Sequence, residues 1–211
     1  MKRKDKEKAF HQLLLHGNGV ASRGLLRGKS GIALALFCHG FNESIEAVTD
    51  YAEHILEETA DGISIYGPIG FAEGLSGIGW SLEYLSQHHY IDIDTAYACE
   101  EIDQRIMDFN PARISDISFA NGLTGILTYI VSHIQGCSGR KPFEDDFLRQ
   151  IREVIVSIRP SVAYTSIGQE FLNTWTDNLS MLTWIYPNSY YATNSSTGSI
   201  FRWKPALPGS S

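Results

Sequence analysis

One short pattern occurs three times in this chain and constrains its fold more than any other feature. Each copy has a glycine, two further residues, a second glycine and then an apolar run with helical character. The first glycines of the copies are 46 and 48 residues apart. A regular spacing of this size is typical of a repeat architecture in which each period is one supersecondary unit. The six structural glycines of the pattern are Gly28, Gly31, Gly74, Gly77, Gly122 and Gly125.

The agreement between the copies extends beyond these glycines. Four residues before each copy stand Gly24, Gly70 and, breaking the pattern, Ser118. We expect the glycines to let backbones approach closely and to supply loop dihedrals that are closed to other residues. A hydroxyl residue precedes the second glycine each time, and we expect it to cap free amide groups at the start of a helix. These hydroxyl residues are Ser30, Ser76 and Thr124.

Two kinds of helix alternate along the chain. The segments 29–37, 75–85 and 123–134 are apolar or small on nearly every side, which is typical of buried helices. Between them lie acidic segments whose apolar residues recur at helical spacing, as in Ile45, Val48, Ala52 and Ile55. Each period therefore contains a buried inner helix and an amphipathic outer helix. Stacked hairpins of this kind predict an all-α chain, either an α/α toroid or a solenoid.

The ends of the chain differ in character from the repeats. We predict one α/α domain over residues 1–185, with repeats that start near 24, 70 and 118, and a loop-rich tail over 186–211. The basic start of the chain, Lys2-Arg3-Lys4, is expected to be a solvated tail. The aromatic segment from Trp175 to Tyr191 is expected either to cap the last repeat or to contact a partner, in a dimer or a hetero-complex.

Composition excludes several classes of protein. The formal net charge of −7 opposes a broad interface with nucleic acid. Hydrophobic residues make up 43% and charged residues 19%, a balance that favours a globular chain over a disordered one. No apolar run approaches the roughly 20 residues of a membrane helix. Three cysteines fit a reducing compartment better than a disulfide framework. We therefore predict a cytoplasmic protein with no membrane span.

The three copies and their flanking residues resemble the lanthionine synthetase C-like family. The matching stretches are 24–32, 70–78 and 119–126, and the resemblance covers roughly residues 20–160. It implies an α/α toroid of seven hairpins and an activity in lantibiotic biosynthesis. In that activity a zinc-bound peptide thiolate adds to a dehydrated serine or threonine and closes a thioether ring. Because only three periods are visible, we predict a partial toroid of three to four hairpins.

The zinc ligands implied by the resemblance are matched poorly. In the family, zinc binds two cysteines and a histidine, one pair of which belongs to a Cys-His-Gly-x-x-Gly motif. Cys38-His39-Gly40 resembles the start of that motif, but Glu43 replaces its last glycine. A catalytic zinc site needs about three protein ligands, and the third would have to come from Cys99, Cys137 or His133. We therefore predict no cofactor and retain Cys38 and His39 only as weaker metal-ligand candidates.

Three polar residues occupy equivalent places in the repeats. Arg27, Glu73 and Asn121 each precede the first glycine of a copy, so a toroid would gather them at the mouth formed by the inner-helix starts. Helix amino termini also favour anions there. These side chains are predicted either to line a ligand pocket or to satisfy polar groups of the loop backbone.

The resulting functional hypothesis is a zinc-free family member that binds a peptide or a protein partner at this mouth. The alternatives are an active zinc-dependent cyclase and an interaction module whose toroid is completed by another chain. Sugar-degrading α/α toroids use paired carboxylates, for which Glu73 and Asp116 would be the candidates. A fold shared with such enzymes is a poor warrant for their activity.

Overall fold

The computed structural model describes residues 3–137 and 139–162, which form eight α-helices and no strand. Two short 3-10 turns, Gly17–Gly19 and Pro111–Arg113, lie in the connections. The all-α prediction is confirmed for this part of the chain. The helices are α1 (Arg3–His16), α2 (Lys29–Asn42), α3 (Glu46–Asp61), α4 (Leu75–Gln87), α5 (Thr95–Ala98), α6 (Glu100–Met107), α7 (Leu123–Gly136) and α8 (Asp145–Val162).

The inner helices α2, α4 and α7 begin directly after the first glycine of each repeat, and the outer helices α3, α6 and α8 follow them. The apolar side chains form two clusters. The first joins α4, α6, α7 and α8, with Ile102, Ile130 and Ile151 at its centre. The second joins α2 to α3 and includes Leu85 of α4. Because α4 contributes to both clusters, it holds the first hairpin to the other two.

The second glycine of each repeat makes room for a close approach. A Cβ added at Gly31, Gly77 or Gly125 would overlap a carbonyl oxygen of the preceding loop. The first turn of the inner helix therefore lies directly on its own loop, and only glycine fits. The expectation that the repeat glycines supply unusual dihedrals is wrong, because Gly139 is the one described glycine with a positive φ.

The hydroxyl residue that precedes the second glycine of each repeat makes a different hydrogen bond from the one expected. Ser30 donates to the carbonyl of Arg23 at 2.7 Å, and Ser76 donates to the carbonyl of Ile69 at 2.5 Å. Thr124 makes the equivalent bond to Ile117 at 2.7 Å. These hydroxyls therefore donate to carbonyls seven residues earlier and do not cap amide groups. Each hydrogen bond ties the inner helix to the start of its own loop.

The three loops are also bonded to one another in a row. The backbone N–H of Leu26 donates to the carbonyl of Ala72 at 2.8 Å, and Ala72 donates in turn to Ala120 at 2.7 Å. A side chain at Gly24 would overlap the backbone of Glu73, which belongs to the next loop. A Cβ at Gly70 would lie 3.0 Å from the α-carbon of Asn121 in the third loop, a tight contact without the severe overlap found at Gly24. Ser118 stands where the other two repeats have a glycine. Within the described residues no fourth loop packs against it, so this position has room for a side chain.

The start of the chain is helical from Arg3 onward and is not an extended tail, whereas its charged residues Glu7 and Lys8 are exposed, as expected for a solvated segment. Phe10, Leu13 and Leu14 of α1 pack against the cluster formed by α2 and α3. This apolar face explains why the segment forms a helix despite its charges. None of the helices in the described ranges combines the length and the apolar character needed to cross a membrane. The predicted tail 186–211 and the aromatic segment Trp175 to Tyr191 lie outside the described residues.

Candidate functional site

The three mouth candidates lie side by side on the surface of the repeat loops. Arg27, Glu73 and Asn121 are all exposed, and each immediately precedes the glycine at the N-cap of an inner helix. The loop-to-loop hydrogen bonds place them in one row. Glu73 accepts a hydrogen bond from the Ser22 hydroxyl at 2.9 Å, which links the second loop to the first. The row presents a cation, an anion and a neutral amide in order.

A groove of about 370 Å³ lies at the first loop, beside Arg27. Its walls come from α1, the loop and the first turn of α2, and Arg27 is the one charged residue that lines it. Leu26 is 60% exposed, although it is a large apolar side chain. The remaining lining residues are Leu13, Leu25, Gly28, Gly31 and Ile32.

Cys38 and His39 lie on the last turns of α2 and face different surroundings. Burial raises the pKa of the Cys38 thiol, despite a hydrogen bond with Tyr90 that lowers it. The ring of His39 packs on Phe10 with centroids 3.8 Å apart. Within 3–137 and 139–162, neither residue belongs to a group of three metal-binding side chains. These two residues therefore do not fit the zinc site that the family resemblance implies.

Asp116 also lacks the environment of a general acid. Backbone and side-chain hydrogen bonds from Ser118 lower the pKa of its carboxyl, and the Ser118 N–H donates to its Oδ1 at 2.7 Å. A glycosidase acid needs a raised pKa. Asp116 is therefore not the general acid of the carboxylate pair considered for sugar chemistry, whose other member stays ionised.

A second group of polar side chains is buried between the inner helices α4 and α7 and the outer helix α6. Its centre is His133, whose Nδ1 lies 2.5 Å from Oε1 of Glu83 and whose Nε2 lies 2.8 Å from Oδ2 of Asp103. The Tyr129 hydroxyl donates to the other oxygen of Asp103 at 2.6 Å. His133, Glu83 and Tyr129 are fully buried. We call these four residues the buried polar cluster.

The surroundings of His133 in the buried polar cluster favour its protonated form. Burial lowers the pKa of His133, but hydrogen bonds with Asp103, Cys137 and Glu83 outweigh burial and raise it to about 11. Burial likewise raises the pKa of Asp103, although His133 and Tyr129 act against this rise. An imidazolium between two carboxylates satisfies both of its N–H groups, as a buried charge requires.

Three further residues border the buried polar cluster: Gly136 and Cys137 at the end of α7, and Gln87 at the end of α4. Cys137 Sγ lies 3.6 Å from both ring nitrogens of His133. A side chain at Gly136 would overlap the Glu83 carboxylate, so glycine leaves the space that this group fills. Gln87 donates to Glu83 Oε2 at 2.8 Å and to the Ser132 carbonyl at 2.9 Å.

Sequence reasoning considered His133 and Cys137 only as partners of Cys38 and missed Glu83 and Asp103. One signal was present, since Glu83 is a carboxylate inside a segment that is otherwise apolar or small. A second was Asp103, which stands next to Ile102 in the buried part of α6. Periodicity alone does not show that these side chains meet, because they come from three separate helices.

Comparison with known proteins identifies the family. The sequence model described as "Lanthionine synthetase C-like protein" matches residues 19–188. No curated protein and no solved structure matches the chain. The matched region contains all three glycine repeats and the helices α2 to α8. The chain therefore belongs to the lanthionine synthetase C-like family.

Proposed function

We propose that this protein binds a peptide along the row of loops that precede its inner helices, as part of ribosomal peptide modification. The observation that carries the proposal is the groove beside the first loop. Its walls are apolar, and its one charged lining residue is Arg27. Exposed apolar surface in a concave site with one polar anchor is the usual composition of a ligand site.

The chemistry of the groove selects the kind of peptide. Burial of Leu26 against an aliphatic or aromatic side chain would remove apolar surface from water. A guanidinium binds a carboxylate with two parallel hydrogen bonds. The preferred ligand therefore carries an apolar side chain close to an acidic side chain or to a free carboxyl terminus.

The other two loops would extend the site in a defined direction. A peptide that leaves the groove meets Glu73 and then Asn121, both exposed and in equivalent places. The order of cation, anion and amide gives the row a polarity, which favours one orientation of a bound chain over the other.

The described residues support binding and do not support ring closure. The implied thioether chemistry requires a zinc-bound thiolate, and Cys38 and His39 do not form such a site. We therefore assign these residues no step of a cyclisation reaction.

The test uses fluorescence anisotropy with two labelled peptides that differ only in charge. One contains leucine and glutamate in an alanine-rich sequence, and the other has lysine in place of each glutamate. The acidic peptide should bind more tightly, and Arg27→Ala should weaken its binding about tenfold, which is the scale of one charge-assisted contact. Glu73 has an opposite charge to meet only in the lysine peptide, so Glu73→Ala should weaken the binding of that peptide, with little change in thermal stability.

The matched control is Arg113→Ala, which removes an exposed arginine from a 3-10 turn that does not line the groove. This variant should bind like the unmodified protein. Equal affinity for both peptides, or equal losses in Arg27→Ala and Arg113→Ala, would overturn the proposed site.

A further inference from the structure

We infer that Glu83, His133 and Cys137 form a buried binding site for a divalent transition metal such as zinc. The three residues each offer one ligand atom, and these atoms all lie within 4.8 Å of one another. A carboxylate oxygen, an imidazole nitrogen and a thiolate sulfur are the ligand types that zinc binds in proteins. The site is separate from the loop row proposed to bind peptide, and the sequence had predicted no cofactor.

The spacing of two of the ligands already suits a metal. His133 and Cys137 are one helical turn apart at the end of α7. Cys137 Sγ lies 3.6 Å from both ring nitrogens of His133, so the thiol needs only to turn toward Nδ1 to share an ion with it. Bond lengths of about 2.1 Å to nitrogen and 2.3 Å to sulfur, at a tetrahedral angle, place two zinc ligands about 3.6 Å apart. The 2.5 Å separation between Nδ1 and Glu83 Oε1 is a hydrogen-bond distance. It must widen by about 0.8 Å when the metal replaces the proton.

The surroundings orient His133 as a metal ligand. Asp103 accepts a hydrogen bond from Nε2 at 2.8 Å, which leaves Nδ1 to face Glu83. Tyr129 in turn holds Asp103 through a 2.6 Å hydrogen bond. A histidine that donates its second ring N–H to an anchored carboxylate is the usual arrangement around a metal ligand.

Cys137 adds the third ligand atom to the group, beside His133. The two carboxylates already engage both ring nitrogens of His133, and a thiol is a weak donor. The thiol nevertheless lies within the same enclosure, and Gly136 beside it leaves room for the Glu83 carboxylate. The Glu83 carboxylate and a deprotonated Cys137 thiolate together carry the two negative charges that balance a divalent ion. The buried site therefore needs no additional counter-charge.

The burial of the site indicates its role. The side chains of Glu83 and His133 are 0% exposed, so the position that three ligands leave open on a tetrahedral ion would face the protein interior. A metal shut off from solvent in this way suits a structural role, whereas a catalytic metal needs its open position to be reached by water or substrate. Because Glu83 belongs to α4 and the other ligands belong to the end of α7, a bound ion would clamp the two inner helices together.

The experiment loads chelator-treated full-length protein with one equivalent of Zn²⁺ or Co²⁺. We expect about one ion to stay bound after gel filtration, a higher melting temperature for the loaded protein, and a thiolate-to-cobalt charge-transfer band with Co²⁺. Cys137→Ser should abolish the band and weaken Zn²⁺ binding by a factor of about 100 or more. Cys38→Ser, the matched control, should retain the band and the affinity.

A cluster held only by hydrogen bonds gives the opposite results. No retained metal, or a cobalt band that survives Cys137→Ser, would overturn the inference. Loss of the band in Cys38→Ser would assign the metal to another site and would also overturn it. Should Cys137→Ser fail to fold, Glu83→Gln tests the same point. Glutamine keeps the shape and can still hydrogen-bond to His133, so the inference fails if this variant binds Zn²⁺ as tightly as the unmodified protein.

Discussion

Gly24 and Glu73 belong to successive loops, and their backbones approach so closely that a side chain on Gly24 would overlap the α-carbon of Glu73. The same loops are joined by the hydrogen bond from Leu26 to Ala72. This contact therefore sets the distance between the first and second repeats.

Gly24→Ala should destabilise the protein by about 2 kcal/mol, because the loops must separate to admit a methyl group in a packed interface. Urea unfolding followed by circular dichroism would measure the change. Gly19→Ala is the matched control, since no atom lies within 4 Å of a Cβ at that position. An effect at position 24 no larger than the effect at position 19 would contradict the packing described here.

Tyr129→Phe should cost about 1 to 3 kcal/mol of stability in the metal-free protein, because Asp103 would lose a hydrogen-bond donor inside the core. The benzene ring is retained, so the variant leaves the apolar packing in place. Tyr66→Phe removes a hydroxyl from a side chain that is 88% exposed and should change stability by less than about 0.5 kcal/mol. Similar unfolding midpoints for the two variants would show that the Tyr129 hydroxyl contributes little.

The stability of the metal-free protein should fall as the pH rises above neutrality. The pKa of His133 is about 11 in the folded protein and about 6.5 in an unfolded chain. A raised histidine pKa stabilises the fold fully below the unfolded value, and this contribution is lost as the pH approaches the folded value. Unfolding midpoints in urea should therefore decrease between pH 7 and about pH 10.

The control for this pH dependence is His133→Gln, which removes the titrating group and retains a side chain capable of hydrogen bonding. Its stability should depend less on pH over the same interval. Equal slopes for the variant and the unmodified protein would show that other groups cause the change.

Cys38 and Cys99 should differ in their reaction with a thiol reagent. Burial raises the pKa of both Cys38 and Cys99, but Cys38 is only partly buried whereas Cys99 is completely buried. Because the thiolate is the reactive form, we expect Cys38 to react first in the metal-free folded protein and Cys99 to react only after unfolding. Peptide mapping of the labelled protein at increasing times would establish the order, and early labelling of Cys99 would contradict its burial.

Much of the fold could be predicted from the sequence because each repeat carries its own local signals. The glycine pairs mark the starts of α2, α4 and α7, and the apolar runs after them identify buried helices. The N-terminal helix α1 was not predicted, because its charged residues outnumber the few apolar residues that it packs against the core. The role of Ser30 was also misassigned, since a hydroxyl near a helix start fits several hydrogen-bonding patterns.

The row of loop residues could be predicted from the sequence and the buried polar cluster could not, for a physical reason. Arg27, Glu73 and Asn121 are related by the repeat, so their equivalent places follow from spacing alone. Glu83, Asp103 and His133 are not related by the repeat, and their contact depends on how three helices pack. Such a contact is a property of tertiary structure, which a single sequence does not display.

The hydrogen-bonded row of loops also limits how this architecture can change by duplication. The first loop donates a backbone N–H to the second and the second donates one to the third, and a glycine admits the following loop at Gly24 and Gly70. The third loop carries Ser118 at the corresponding position, where a side chain would obstruct another loop. A tandem copy of the third repeat would therefore need a change at Ser118 before it could stack, whereas a copy of either earlier repeat already has the required glycine.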